Sequence, residues 1–324
     1  MKPRVGFLGT GWIGRHRMEA MLATGAIDAV AICDPSPECA AAAAQLVPDA
    51  AQVQSLEEML ERRLDGIVIA TPSALHAEQA LRALDAGVAV FCQKPLGRTA
   101  AETRAVVETA SAADRLLGVD LSYRETAAMR AIADVVHGGG VGRLFAIDLT
   151  FHNAYGPDKA WFYDPVQSGG GCVIDLGIHL VDLALWTLGF PAVRSVTAEL
   201  LHVGMAPESG AVEDYAVARF DAGDVSVRLA CSWGLHAGRD AVIEAAFYGT
   251  GGGAALRNVD GSFYDFTAHR FSGTSSELLA APPDAWGGRA AAAWAERLAR
   301  SPGFDAGAEQ YVRAAEVLDR IYGR

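Results

Sequence analysis

Short, nearly continuous apolar runs alternate with stretches of helical period through the first third of the chain. Residues 4–8, 29–33, 66–70, 89–92 and 116–119 read as strands, and residues 13–24, 38–46, 56–61, 74–86 and 100–113 read as helices. Strands without polar alternation are buried on both faces, so this order predicts a doubly wound parallel sheet covered by helices. Beyond Asp120 the pattern changes: a helix over 127–137 leads into a strand over 144–151, and the tract 195–247 is dominated by strands. Within it, 212–220, 225–232 and 241–248 read as consecutive antiparallel members. A helix over 170–188 is expected to cover one face of that sheet, leaving an apolar open face for a second copy of the chain. Tail helices over 290–299 and 308–321 are expected to pack back on a domain face, with Trp286 and Trp294 in the core. At 324 residues the chain exceeds what one core usually supports. The expected fold class is therefore α/β, with a dinucleotide-binding domain over 1–122 and a substrate-binding, oligomer-forming domain over 123–324.

The join between the first strand and the first helix carries candidate chemistry. Gly9, Thr10, Gly11, Trp12, Ile13 and Gly14 form a glycine-rich turn, and Asp34 closes the second strand. Gly9 permits the tight turn, Gly11 lets backbone N–H groups approach phosphates, and Gly14 lets the helix pack closely on the sheet. In a chain with 35 glycines such a string arises by chance, and its specificity comes from the strand–turn–helix context and the acid that follows. Asp34 accepts both hydroxyls of an unmodified ribose and repels a 2′-phosphate, and Pro35, Ser36 and Pro37 supply no compensating cation. NAD is thus expected in preference to NADP.

Charge and cysteine usage narrow the partners. Twenty-seven basic against 39 acidic residues leave a net charge of −12, which argues against nucleic acid and anionic membranes as partners. The N-terminus shows no secretory apolar core, and Cys33, Cys39, Cys92, Cys172 and Cys231 are scattered without paired spacing. A cytoplasmic setting is expected, with the thiols as buried small hydrophobes.

Two further clusters sit where a ligand is expected. Thr71, Pro72, Ser73 and His76 follow one parallel strand, and Gln93, Lys94 and Pro95 follow the next, at the sheet edge where open α/β sheets place ligands. Thr71 and Ser73 serve equally well as helix caps, and Lys94 reads equally well as a surface lysine, although its proline permits a tight or cis turn that would fix the ammonium. The second cluster runs from Gly169, Gly170 and Gly171 through Asp175 and His179 to Asp182. Asp175 and His179 are four residues apart on one helical face, and Ile174, Ile178, Val181 and Leu185 complete the apolar face without them. No second histidine at ligand spacing or cysteine pair accompanies them, so no metal is expected. Together these residues suit dehydrogenation of an alcohol carbon. His179 would be the base, Lys94 the donor to the substrate oxygen, and Asp175 would orient the substrate or the imidazole. Tyr123, Arg124, His152, Tyr155 and Trp161 are candidates for a substrate wall, with inter-domain packing as the competing reading.

As a combination, the glycine turn, Thr71-Pro72 with His76, Gln93-Lys94-Pro95, and the tract from Gly170 through Asp175, Gly177 and His179 to Asp182 resembles the Gfo/Idh/MocA oxidoreductases over nearly the whole chain. This is the family of glucose–fructose oxidoreductase and inositol dehydrogenase. The resemblance implies an N-terminal Rossmann domain, a C-terminal α/β domain with a large, predominantly antiparallel sheet, and homodimers or homotetramers formed through that sheet. It further implies that Lys94 is the family's active-site lysine, that Asp175 and His179 are the pair in the substrate cleft, and that the substrate is a sugar, sugar acid or cyclitol. Keto-sugar reduction, possible also on nucleotide-linked sugars, is the alternative; an NAD-retaining glycosidase and a non-catalytic NAD-responsive protein stand further off. Two positions depart from the family pattern. Glutamate commonly precedes the lysine, where this chain has Gln93, and loss of that charge would ease lysine deprotonation. Ser73 stands where asparagine is common.

Overall fold

In the computed structural model, which describes residues 1–324, the five apolar runs of the first third become β1 (Arg4–Leu8), β2 (Asp28–Cys33), β4 (Gly66–Ile69), β5 (Ala89–Cys92) and β6 (Leu117–Val119), and a further strand, β3 (Ala51–Gln52), joins them. All six are parallel, in the order β3-β2-β1-β4-β5-β6. Chain order reverses between β1 and β4, which makes their carboxyl ends the switch point at which doubly wound sheets bind dinucleotides. Helices α1 (Trp12–Ala23), α2 (Pro37–Leu46), α3 (Leu56–Leu60), α4 (Ser73–Asp85) and α5 (Ala100–Ala112) connect them. The two-residue β3 escapes sequence reading because it is too short to show a period.

The division of the chain differs from a single break. One unit comprises Met1–Ser122 with Gly287–Val312, and the other comprises Tyr123–Trp286 with Arg313–Arg324. The reason lies in the helix Arg289–Arg300. Its Ala291, Trp294, Ala295 and Leu298 are buried at helical spacing and join the core of the parallel-sheet unit beside Phe7, Val68 and Phe91. Glycine makes room for it: a Cβ on Gly66 or Gly118 would stand 2.7 Å or 2.6 Å from the Trp294 ring. The expected assignment of everything after residue 122 to one domain is corrected accordingly.

In the second unit, α6 (Ala127–His137) precedes β7 (Leu144–Asn153), and the short α7 (Pro165–Ser168) precedes α8 (Ile178–Leu188). Strands β8 (Val193–Leu201), β9 (Tyr215–Ala222), β10 (Val225–Ser232), β11 (Ala241–Gly249), β12 (Gly253–Asn258), β13 (Phe266–Ser272) and β14 (Ser275–Ala280) follow. The sheet order is β14-β13-β12-β11-β7-β10-β9-β8, antiparallel except where β7 and β10 pair in parallel. β10 and β11 are therefore not neighbours: β7 lies between them, so the expected run of consecutive antiparallel strands breaks at that point. The two remaining helices are α9 (Arg289–Arg300) and α10 (Glu309–Tyr322).

Alternation along these strands separates two faces. Ile147, Leu149 and Phe151 of β7, Val227, Leu229 and Cys231 of β10, and Ile243, Ala245 and Phe247 of β11 are buried. The opposite face, expected to be apolar, is mixed: cross-strand ion pairs lie beside exposed Tyr248 and Leu278. Arg228 pairs with Asp148 across β10 and β7 at 2.7 Å, and Arg257 pairs with Glu244 across β12 and β11 at 2.9 Å. The segment Pro165–Leu188 is long and apolar enough to cross a membrane, yet 83% of its apolar window is buried inside the protein, as befits a core helix. All five cysteines are free and four are buried.

Candidate active site

The glycine turn holds the shape its sequence requires. Gly9 has φ +85°, and a Cβ there would lie 2.5 Å from the Ala70 carbonyl oxygen. A Cβ on Gly14 would lie 2.1 Å from the Gly9 carbonyl oxygen, so only glycine allows α1 to approach β1 this closely. Around Gly11, by contrast, nothing comes within 4 Å of a built Cβ. No side chain caps α1 at Gly11, and no acid lies in its first turn. Its leading N–H groups thus receive no side-chain cap, and with the positive end of the helix dipole they suit a phosphate. Asp34 is aimed by two amides: Oδ2 accepts from Thr10 N at 2.6 Å and Oδ1 from Ser36 N at 2.8 Å. A carboxylate has about four lone-pair sites, so capacity remains for a ribose diol. These residues fit a dinucleotide. Trp12 is 61% exposed and stacks on His16, while Ile13 is half-buried.

The strand-end residues divide. The Thr71 hydroxyl donates to Gln79 Oε1 at 2.6 Å, and α4, preceded by Pro72 as its N-cap residue, has no side-chain cap, so neither Thr71 nor Ser73 caps it. His76 is buried with Nδ1 2.7 Å from the Pro95 carbonyl and Nε2 2.6 Å from the Thr71 carbonyl. Burial pulls its pKa below the usual imidazole value more strongly than the two carbonyls raise it. Both ring nitrogens face backbone carbonyls, and the neutral ring, with one N–H, donates to one of them, so His76 sits between the loop after β4 and the cis Lys94–Pro95 turn after β5. Gln93 donates to Asp120 Oδ2 at 2.7 Å, and Arg17 Nε approaches the same oxygen at 2.5 Å. This explains the departure at 93: a glutamate there would set carboxylate against carboxylate in a buried site, whereas the amide supplies a donor.

In the second unit the expected continuous helix over 170–188 is interrupted. Gly169 and Gly170 have φ +87° and +156°, and Val173–Gly177 form a π turn that carries Asp175 and runs into α8, which carries His179. Such turns recur at functional sites because they re-aim side chains without ending a helix. The His179 imidazole is 7% exposed and lies 4.7 Å, ring centre to centre, from Tyr123. Tyr123 in turn packs on Phe151, Phe266 and Trp286. Asp175 Oδ2 accepts the Trp233 indole N–H at 3.1 Å. Phe162 and Tyr163 pack against Trp233, and Trp161 stacks on Phe162 at 3.8 Å, which brings the aromatic loop to the partner of Asp175. Burial, then the Asp175 charge, raises the Tyr163 pKa.

Three further wall candidates have neighbours within the protein. The Arg124 guanidinium forks onto buried Asp182 and packs over Phe190 and Trp186. Burial raises the Asp182 pKa despite that cation. His152 points away from His179: Phe151 faces the imidazole, and its strand neighbour must face the other side, where His152 bonds Ser232 at 2.8 Å and stacks on Tyr215. Tyr155 is exposed against Phe263. Sequence reading missed Trp233, Glu213 and Tyr322, which no motif connects to Asp175.

Comparison with known proteins agrees with this geometry. Residues 3–121 match the GFO_IDH_MocA oxidoreductase model, described as an NAD-binding Rossmann fold, and residues 129–255 match the GFO/IDH/MocA C-terminal domain. The chain is similar to the D-glucoside 3-dehydrogenase of Escherichia coli K12, 28% identical over 78% of this chain and 74% of that protein. It is also similar to the 1,5-anhydro-D-fructose reductase of Ensifer adhaerens, 32% identical over 69% and 67%. Its fold matches levoglucosan dehydrogenase in complex with NADH and levoglucosan, with a TM-score of 0.83, 21% identity, and coverage of 100% and 97%. The chain belongs to the Gfo/Idh/MocA family and is an oxidoreductase with that family's NAD(P)-binding Rossmann domain.

Proposed function

We propose that the protein is an NAD-dependent dehydrogenase acting on a secondary hydroxyl of a sugar, sugar acid or cyclitol. The observation that carries this reading is the Asp175–His179 pair at the π-to-α junction, set within aromatic side chains in a chain whose first unit has an uncapped dinucleotide seat. When bound, NAD supplies the hydride acceptor. His179 takes the hydroxyl proton. Lys94 donates to the substrate oxygen, and Asp175, held by Trp233, orients the substrate or the imidazole. Trp161, Phe162 and Tyr163 offer ring faces to the apolar side of a sugar. Preference for NAD rests on Asp34, which is followed in the chain by Pro35, Ser36 and Pro37 and not by a cation that would receive a 2′-phosphate.

Keto-sugar reduction is the second reading, favoured by the likeness to a 1,5-anhydro-D-fructose reductase. In that direction His179 returns the proton. A panel of pyranoses, aldonates, inositols and keto-sugars tests both readings through formation or consumption of NADH. Turnover with a polyol or sugar supports the first, turnover only with ketones supports the second, and NADH binding without turnover on any member contradicts both. The protein is further expected to be a cytoplasmic homodimer or homotetramer that associates through the second unit's sheet, which sedimentation velocity would test.

A further inference from the structure

The turn that bears Asp175 begins with four backbone N–H groups that no intrahelical carbonyl receives, since the first helical bond runs from Asp175 N to the Gly171 oxygen. All four have partners, and two residues supply them. Glu213 Oε1 accepts from Gly171 N at 3.0 Å and Val173 N at 2.9 Å, and Oε2 also lies 3.0 Å from Gly171 N. The Glu213 main-chain oxygen accepts from Cys172 N at 3.0 Å. The Tyr322 hydroxyl accepts from Ile174 N at 3.1 Å and donates to Glu213 Oε1 at 2.8 Å. Glu213 is 3% exposed. The approach is so close that a Cβ on Gly171 would stand 1.9 Å from the Glu213 oxygen, and one on Gly170 would stand 2.1 Å from the Tyr322 hydroxyl. Arg324 completes the grip by donating to the Gly169 oxygen at 2.7 Å while lying over the Tyr322 ring.

We infer that Glu213 and Tyr322 are positioning residues: together they clamp residues 171–174 and so set where Asp175 and His179 stand. A carboxylate at this end of the helix complements the dipole and the orphan amides at once. An ordinary cap would satisfy one amide, whereas this pair satisfies all four and leaves the turn a single register. The kinetic part of the inference rests on the proposed roles of Asp175 and His179, and the structural part does not.

The test uses the full chain with Tyr322→Phe, Glu213→Gln and Glu213→Ala. The Trp233 indole N–H reports the Asp175 carboxylate directly, and its signal among the six tryptophans is identified in a 1H–15N spectrum by its loss in Trp233→Phe. Tyr322→Phe and Glu213→Gln are expected to shift that signal and to speed exchange of the 171–174 amides. Because small misplacements of catalytic groups are costly, kcat on the best substrate should fall about tenfold or more, with the NADH Kd held within about twofold. Glu213→Gln keeps an acceptor at the Oε1 position and should retain more activity than Glu213→Ala. An unmoved indole signal with unchanged amide exchange would overturn the inference, as would folded Tyr322→Phe with wild-type kcat. If the wild type turns over no substrate, the functional reading fails alone, and the indole and exchange signals still decide whether the clamp sets Asp175.

Discussion

Two helix N-termini in this protein are finished in opposite ways. At α1 no side chain caps the leading amides, no acid enters the first turn, and the space around Gly11 is open. At the turn before α8 every leading amide is taken by Glu213 or Tyr322. The backbone chemistry is the same, four donors and a positive dipole end, and what fills it decides the use. Left open, the terminus receives an anionic group of a ligand. Filled from within, it binds nothing further and becomes a rigid mount for the side chains that follow it.

Substitutions that exchange these conditions should break the contrast. The largest effect is expected at Gly14→Ala, where the added methyl meets the Gly9 carbonyl and forces α1 from β1. NADH binding should be lost and the melting temperature should fall. Gly11→Ala is the control: with no protein atom near its Cβ it should leave stability unchanged while weakening NADH, which calorimetry would show. Next in size is Trp294→Ala, which empties the space above Gly66 and Gly118 and should cost about 3–5 kcal/mol by denaturant unfolding. Hydrogen exchange should rise in β4 to β6 and not in the second unit's sheet, because α9 belongs to the first unit.

Asp34→Ala removes a charged acceptor from the ribose position. A loss of about 1.5–3 kcal/mol in NADH binding is expected, roughly ten- to a hundredfold in Kd, with the preference over NADPH reduced. The smallest effect concerns His76. Its folded pKa lies below the usual value of about 6.5, so the neutral ring contributes stability that is present above that pH and lost as pH falls through the depressed value. The wild type should therefore lose melting temperature between neutral and mildly acidic pH, and His76→Gln should flatten part of that slope. A steeper slope in the variant would contradict the assignment.

The contrast also explains what could be read in advance. The dinucleotide seat is local: Gly9, Gly11, Gly14 and Asp34 lie within one βαβ unit, and each meets a backbone requirement that a spacing can express. Strands β1, β2, β4, β5 and β6 were legible for the same reason. Asp175 and His179 showed themselves by their four-residue spacing, but the π turn between them and the partners that fix it did not. Glu213, Trp233 and Tyr322 reach the turn from about 40 to 150 positions along the chain, and one carboxylate, one indole and one phenol make no pattern. Sheet order failed on the same ground. β9 and β10 form a hairpin that sequence reveals, whereas the insertion of β7 between β10 and β11 depends on pairing across distant segments. The partners of Arg124 and His152 were not legible because polarity alone does not tell a side chain's face or its partner: Asp182 holds one, and strand alternation sets the other against Ser232.

The most direct test of the central claim compares His179→Ala with the wild type in one preparation, measuring NADH affinity and kcat on the best sugar or cyclitol. An open α1 terminus that binds cofactor and a filled one that aims a proton acceptor require an unchanged Kd with a kcat loss of about 10²- to 10⁴-fold. Undiminished turnover in the variant, or a loss of NADH affinity in step with turnover, would contradict it.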